Sequence, residues 1–396
     1  MEQELIVQLL EDQRAHFTYS QKNILLQTIP QICLKNSISL KEFLKELSLA
    51  QILESELDSV QKGKKIFKWV LKMRYPLSNG TMETFPPFDL KNKEDHLTSQ
   101  NVLQLDSRKK LINRYFYGKG IFDLKEYVIS LIRSCPLDCA YCFLREVYDD
   151  PRFKVLPDIE KIKAELRLIR DQENGVVYLN AGENADSLIF DLEFGLIEKL
   201  WNTIQDFPNV FVEFRSKTNK IENLFKIKDH QKRMIMAFSL NPEEDRAIFE
   251  SNTATILERI LAMKQLAENG FALGLRFEPI LYTKNYKEKY KKLFADLFSQ
   301  ISPSQVHSIS LGCLRLTKGL AKILGDSHPS VMVEEWILAE DQKVRYFRGI
   351  RVELYQNLLE LLKEYFGDEK KIVLSTEPVL VWKESGVTLK TMPEIC

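Results

Sequence analysis

The apolar positions of this chain change their period about a third of the way along. Over residues 1 to about 75 they recur at helical spacing. Leu5, Leu9 and Leu10 begin one stripe, and Leu40, Phe43, Leu44 and Leu47 fit another. Ser39 is placed to cap that second helix, and Glu42 three residues on completes a capping box. From 76 to about 123 the pattern is lost. Pro76, Asn79-Gly80, Pro86-Pro87 and the polar run 91–100 are turn and loop signals, and Gly118 and Gly120 precede the next ordered element. A domain boundary is expected near 105–120.

From 124 onward strand-like and helical segments alternate. Strands are expected at 126–132, 176–180, 210–214, 234–240, 271–280 and 306–313. Helices are expected at 157–170, 193–205, 253–269 and 286–299, with a short one from Lys318. Parallel strands need crossover helices, so six β/α steps predict an α/β fold built on a partial (β/α)6 TIM-like barrel, with a helical domain before it. The expected division is 1–110 as a helical N-terminal accessory domain with linker, 111–330 as the barrel, and 331–396 as a helix/strand extension. In that extension, a helix at 352–366 and a strand at 371–374 are expected to pack on the barrel's open side. Chemistry in such folds sits at the C-terminal ends of the strands.

Charge narrows the function only slightly. Lys+Arg and Asp+Glu both number 56, so the chain is neutral and lacks the overall basic excess of many nucleic-acid binders. One local exception is 62–75, with six basic residues, no acidic ones and three aromatics. It reads either as a nucleic-acid contact or as a helix or strand with a solvated basic face. The N-terminus is acidic where a signal peptide is basic, no apolar run is long enough to span a membrane, and three of the six cysteines are scattered. A reducing cytoplasm is the expected location.

The other three cysteines carry the chemistry. Cys135, Cys139 and Cys142 stand in the spacing C-x3-C-x2-C, in a loop directly after the first barrel strand. Thiolates in a tight loop are ligands for soft metals and iron–sulfur clusters. Three of them leave one iron of a four-iron cluster open to a substrate or cofactor. Zinc is the competing reading, but it usually needs a fourth Cys or His, and His96 and His230 have no cysteine beside them. An odd trio also makes a poor disulfide framework. The spacing, with Tyr141 just before the third cysteine, resembles the signature of the radical S-adenosylmethionine (SAM) superfamily.

Residues at the other strand ends complete the picture. Gly182-Glu183 follows the second strand; glycine allows close backbone approach to a ligand, and the carboxylate stands next to it. Lys217 follows the third strand, Ser239 ends the fourth, and Arg276 and Glu278 share one face of the fifth by the period of two. The resemblance implies that Glu183 meets the amino group of the methionine moiety and that the Tyr141 ring lies near the adenine; a cation at Lys217 suits the SAM carboxylate, the alternative being an exposed turn lysine. A hydroxyl at Ser239 suits a ribose or carboxylate, and charges on a barrel strand are costly unless they pair or bind something, which makes Arg276 and Glu278 candidates for the same cofactor site. A plain ion pair inside the barrel is the alternative for the last two.

Within the superfamily the order of features is similar to the spore photoproduct lyase family. The residues carrying this are 135–144, Phe214-Arg215-Ser216-Lys217, Ala237-Phe238-Ser239-Leu240-Asn241, 269–274, Pro279-Ile280 and Leu314-Arg315-Leu316-Thr317-Lys318. The resemblance implies a [4Fe–4S] cluster on Cys135, Cys139 and Cys142, with SAM on the open iron. It implies SAM cleavage to a 5′-deoxyadenosyl radical that abstracts hydrogen, and repair of a DNA lesion that must be flipped out of the stack. The expected partners are a flavodoxin- or ferredoxin-type reductant and nucleic acid. Two departures stand out. The family's cysteine after the second strand, which returns a hydrogen atom to the product, is absent from 180–187, and Phe143 replaces a tyrosine. Cys313, at the end of the sixth strand, is then the candidate hydrogen donor, with Cys396 available only if the tail folds back. Another substrate (RNA, peptide or metabolite) and a non-catalytic iron–sulfur carrier or sensor remain open readings.

Overall fold

The structure, a computed structural model, describes residues 25, 29–30, 32–34, 39–49, 62, 66, 70, 102–104, 110–133, 135–147, 153–155, 159–230, 232–250, 252–328, 331, 336–367 and 371–396. The chain divides into two compact units. One comprises Met1–Glu83, Asp89–Leu103 and Arg145–Phe153, and the other Thr84–Phe88, Gln104–Leu144 and Lys154–Cys396.

In the first unit the helix Leu40–Leu49 forms as its cap signals predict. Ser39 N–H donates to Glu42 Oε2 at 2.6 Å, and Glu42 N–H donates back to Ser39 Oγ at 3.2 Å. Phe43 is buried. The stripe begun by Leu5, Leu9 and Leu10 lies outside the described residues, as do the loop signals at 76–100. Of the basic stretch, Lys62, Ile66 and Val70 are described; all three are helical, with Ile66 and Val70 buried.

The second unit is built on one curled sheet. Its parallel strands are β1 (Glu126–Ile129), β2 (Val177–Asn180), β3 (Val210–Ser216), β4 (Met234–Ser239), β5 (Ala272–Ile280), β6 (Val306–Cys313) and β7 (Ile372–Leu374), in that order across the sheet. Ile112–Arg114 adds an antiparallel edge beside β1. The strands are buried on both faces, as a parallel sheet covered by helices requires; every residue of β4 is buried. The crossovers are the helices α1 (Ile159–Gln172), α2 (Leu196–Ile204), α3 (Glu243–Phe249), α4 (Ile256–Glu268), α5 (Tyr286–Phe298), α6 (Lys318–Ser327) and α7 (Arg348–Phe366). In α1, Ile162, Leu166 and Ile169 form the buried stripe at i, i+4, i+7. Among the described residues no helix is long and apolar enough to cross a membrane.

The structure extends the expected barrel by one strand. β7 pairs in parallel with β6, Ile309 opposite Ile372. The C-terminal segment is therefore part of the sheet rather than a cover over its open side. α7 is the crossover that makes this parallel pairing possible. Closure comes from the 115–123 segment, which reaches across to the elements beyond β6 and β7. Arg315 Nη2 donates to Tyr117 O at 3.3 Å, and Phe122 N–H donates to Glu377 O at 3.0 Å. Gly118 is required there, because a side chain would meet the Asp341 Cβ at 2.9 Å and φ is +103°. The tail also folds back: Met392 N–H donates to Leu124 O at 2.9 Å, at the N-terminal ends of the strands.

Candidate active site at the strand ends

The cysteine loop leaves the C-terminal end of β1 through a short antiparallel pairing of Ile132–Arg133 with Lys154 and Val155. It then turns tightly. Asp138 takes φ 52°, a left-handed conformation that a short polar side chain tolerates, and Cys142 N–H closes a turn on Cys139 O at 3.0 Å. Cys139 is buried, and Cys135 and Cys142 are half-buried; none of the three is in a disulfide. Burial, followed by the nearby Asp186 carboxylate, pushes the Cys135 thiol up to about 12. Burial raises Cys139 well above its ordinary value, with Glu250 adding to the shift and Lys217 opposing it.

Around this loop stand three charged groups, two from other strand ends and one from the end of a helix. Asp186, after β2, is buried and accepts from the Lys217 N–H (2.6 Å), the Leu188 N–H (3.0 Å) and the Ser216 hydroxyl (3.0 Å). Lys217, after β3, holds its ammonium 5.9 Å from the centroid of the Tyr141 ring. Glu250, after α3, is fully buried and accepts from the Tyr141 hydroxyl, from Asn241 Nδ2 at 2.9 Å and from Arg259 Nη2 at 2.8 Å. Burial alone would raise the Glu250 carboxyl; the Lys217 and Arg259 charges and these hydrogen bonds outweigh it and bring it down to about 2. Ser239, buried at the end of β4, lies beside Arg276 in the strand register.

Gly182 and Glu183 occupy the second strand end as expected, for a different reason. A Cβ on Gly182 would stand 2.4 Å from the Arg215 Cβ and 3.0 Å from its backbone nitrogen. The glycine admits the close approach of the neighbouring strand. Glu183 accepts from the Tyr115 hydroxyl at 3.2 Å. Its carboxyl is raised by burial, with Arg215 pulling the other way.

Deeper in the barrel the charges pair crosswise. Arg276 binds Glu213 on β3 through Nε at 3.0 Å and through Nη2, which the Tyr178 hydroxyl also joins. Its remaining donors go to Ser308 Oγ (2.9 Å), Ser308 O (3.1 Å) and Leu275 O (3.0 Å). Arg276 is 1% exposed, so its guanidinium is consumed by the protein's own interior. Glu278 instead faces Arg215 at 3.4 Å and accepts from the Ser310 hydroxyl. Arg215 bridges the two layers, its Nε donating to Glu213 Oε1 at 2.8 Å. Both charges are thus paired, though not with each other: Arg276 with Glu213, and the partly exposed Glu278 with Arg215.

Cys313 is not brought to this group. On β6, Ser308, Ser310 and Gly312 turn toward Arg276 and Glu278, and alternation sends Cys313 to the helix side. There its N–H donates to the Tyr355 hydroxyl on α7 at 2.9 Å, and burial holds the thiol well above its ordinary range. Cys396 does come inside, near Glu213 and Arg276, but from the N-terminal ends of the strands, where the tail docks on Leu124.

The family model described as Spore photoproduct lyase matches residues 119–369, well over half of the chain. The chain belongs to the spore photoproduct lyase family. It is accordingly an enzyme of the radical SAM superfamily. The lyase of Bacillus subtilis (strain 168) is 23% identical over 298 residues, covering 70% of this chain and 84% of the relative. That of Geobacillus sp. (strain Y412MC61) is 22% identical over 280 residues, covering 66% and 81%. A solved spore photoproduct lyase complexed with dinucleoside spore photoproduct superposes with a TM-score of 0.59 at 18% identity, covering 69% of this chain and 81% of that one. A substituted variant with bound AdoMet and dinucleoside spore photoproduct gives 0.56 at 19%, covering 63% and 76%. At these identities the structures show a shared partial-barrel fold.

The donor set fits the cluster that the spore photoproduct lyase family implies. Among the described residues no three Cys, His, Asp or Glu side chains are grouped to hold a single metal ion. A four-iron cluster does not require such convergence, since each thiolate binds a different iron. Cys135, Cys139 and Cys142 lie on one turn and feel each other's charge. The residues that sequence reading missed are Asp186, Glu213, Arg215, Glu250 and Tyr115. Only Glu213 and Arg215 left a signal: two charges at period two inside the apolar run 210–216.

Proposed function

We propose that this chain is a radical SAM enzyme holding a [4Fe–4S] cluster on Cys135, Cys139 and Cys142, and that it repairs a DNA lesion of the spore-photoproduct kind. The observation that supports it is the cysteine turn at the C-terminal end of β1, ringed by Asp186 and Lys217 from neighbouring strand ends and Glu250 from the end of α3. When bound, the cluster and SAM supply a carbon radical that abstracts hydrogen, with electrons from a flavodoxin- or ferredoxin-type reductant in the cytoplasm. The protein's share is orientation and exclusion of water. Lys217 offers a cation to a carboxylate, Tyr141 an aromatic face held by Glu250, and Glu183 and Ser239 hydrogen-bonding groups at the ends of neighbouring strands. Glu278 pairs with Arg215, and Tyr115 holds Glu183, at the same ends of the strands.

Two features favour a second reading, in which the substrate is not a DNA lesion. Residues 180–187 hold no cysteine, and the barrel mouth carries the carboxylates Glu183 and Glu278. One experiment separates the two. Anaerobically reconstituted protein is reduced with dithionite and given SAM, alone and with dinucleoside spore photoproduct. We expect 5′-deoxyadenosine from wild type, none from Cys139→Ala, and conversion of the dinucleoside to thymidines. Cleavage of SAM without conversion transfers the assignment to another substrate. An intact cluster without cleavage overturns the reading in favour of an electron carrier or sensor.

A further inference from the structure

Glu250 has no exposed surface, yet it sits one residue past the short helix α3, where solvent would normally satisfy a carboxylate. Both of its oxygens are engaged: Oε1 by the Tyr141 hydroxyl and Asn241, Oε2 by Arg259. The carbonyl of the residue before it, Phe249, accepts the Ala140 N–H at 2.8 Å. These contacts grip two consecutive residues, Ala140 and Tyr141, that lie between Cys139 and Cys142. Lys217 stands over the same tyrosine ring, and its backbone is fixed by Asp186 at one end and by the Ala254 N–H (3.0 Å) at the other. The Cys139 thiol feels Glu250 and Lys217 with opposite sign. A fixed charge beside a thiolate ligand in a dry site changes the energy of adding an electron to whatever that ligand binds. A carboxylate opposes reduction and an ammonium favours it.

We infer that Glu250 is a positioning residue that clamps the cluster loop through Tyr141 and, against Lys217, sets the reduction potential of the group held there. Glu250 holds the potential down and Lys217 holds it up. This rests on the reading that the three cysteines carry an iron–sulfur cluster.

The test is a redox titration of full-length, anaerobically reconstituted wild type, Glu250→Gln, Lys217→Met and Tyr141→Phe, followed by cluster absorbance and EPR in the absence of SAM. Glu250→Gln keeps the shape and removes the charge, so its midpoint shifts upward. Lys217→Met shifts it downward. Tyr141→Phe removes the hydrogen bond but leaves the charge, and moves the midpoint less than either. A Glu250→Gln midpoint equal to that of wild type overturns the inference, as does a Lys217→Met shift in the upward direction. If Glu250→Gln fails to retain iron, Lys217→Met decides alone: a downward shift supports the inference, and none overturns it. Iron and sulfide analysis of wild type separates the two layers. Absence of a cluster sinks the functional reading and this inference together, whereas an unmoved potential in loaded protein sinks only the inference.

Discussion

At the scale of single residues, the barrel interior is governed by which charge meets which. Sequence spacing put Arg276 and Glu278 on one face, and the fold gave each a different partner, Glu213 and Arg215. Glu213 is held well below the usual carboxylate range: burial opposes its charge, and Arg215 and Arg276 together outweigh that. Arg276→Met would leave this charge buried with half its compensation, at a cost of about 3–5 kcal/mol. Adding Glu213→Gln should restore most of the loss, as read by denaturant midpoints. A double variant no better than the single one would mean that Arg276 acts through packing instead. Gly182→Ala is the second test. Its Cβ would collide with Arg215 at 2.4 Å, so strand β2 must give way. Overpacking of this kind costs about 1–3 kcal/mol, and the displaced Glu183 should weaken SAM binding in a titration of the reconstituted protein. Unchanged stability would show that the strands separate freely.

At the scale of elements, most of the α/β alternation was legible, because each strand and helix carries its own period. β6 spans Val306–Cys313 as expected, and α5 ends within a residue of its expected limit. The expected helix at 193–205 is two pieces, Asp191–Phe194 and Leu196–Ile204, separated by Gly195 at φ 57°. Helix α3 was not foreseen, and it carries the approach to Glu250. Alternation within β6 also decides the place of Cys313. With its neighbours Ser310 and Gly312 facing the interior, the thiol joins Tyr355 and Glu377 in the helix layer. Cys313→Ala should therefore leave 5′-deoxyadenosine formation within about twofold and cost about 1 kcal/mol of stability from the lost thiol contact. Retained SAM cleavage with loss of the final product would reinstate Cys313 as hydrogen donor.

At the scale of the whole molecule, the interior couples stability to pH through Glu126. It is buried at the start of β1 and accepts from the Tyr117 hydroxyl at 2.7 Å. Burial pushes its carboxyl from 4.5 up to about 7, with Arg215 resisting and Glu213 adding to the shift. The folded protein thus holds a proton that the unfolded chain has released, and stability from this group falls as pH rises between 4.5 and about 7. Glu126→Gln should flatten that part of the curve, measured as unfolding midpoints at about pH 5 and pH 7.5. An unaltered slope would assign the dependence elsewhere. The sequence by itself determined the cysteine spacing and six of the seven parallel strands with most of their crossover helices, because spacing and period are local properties. Tertiary structure alone decided the partners. Tyr141 and Glu250 are 109 residues apart, and Arg276 and Glu213 are 63 apart. A buried charge is stabilised by whatever the folded sheet sets opposite it, and that neighbour has no signature in the sequence around either residue.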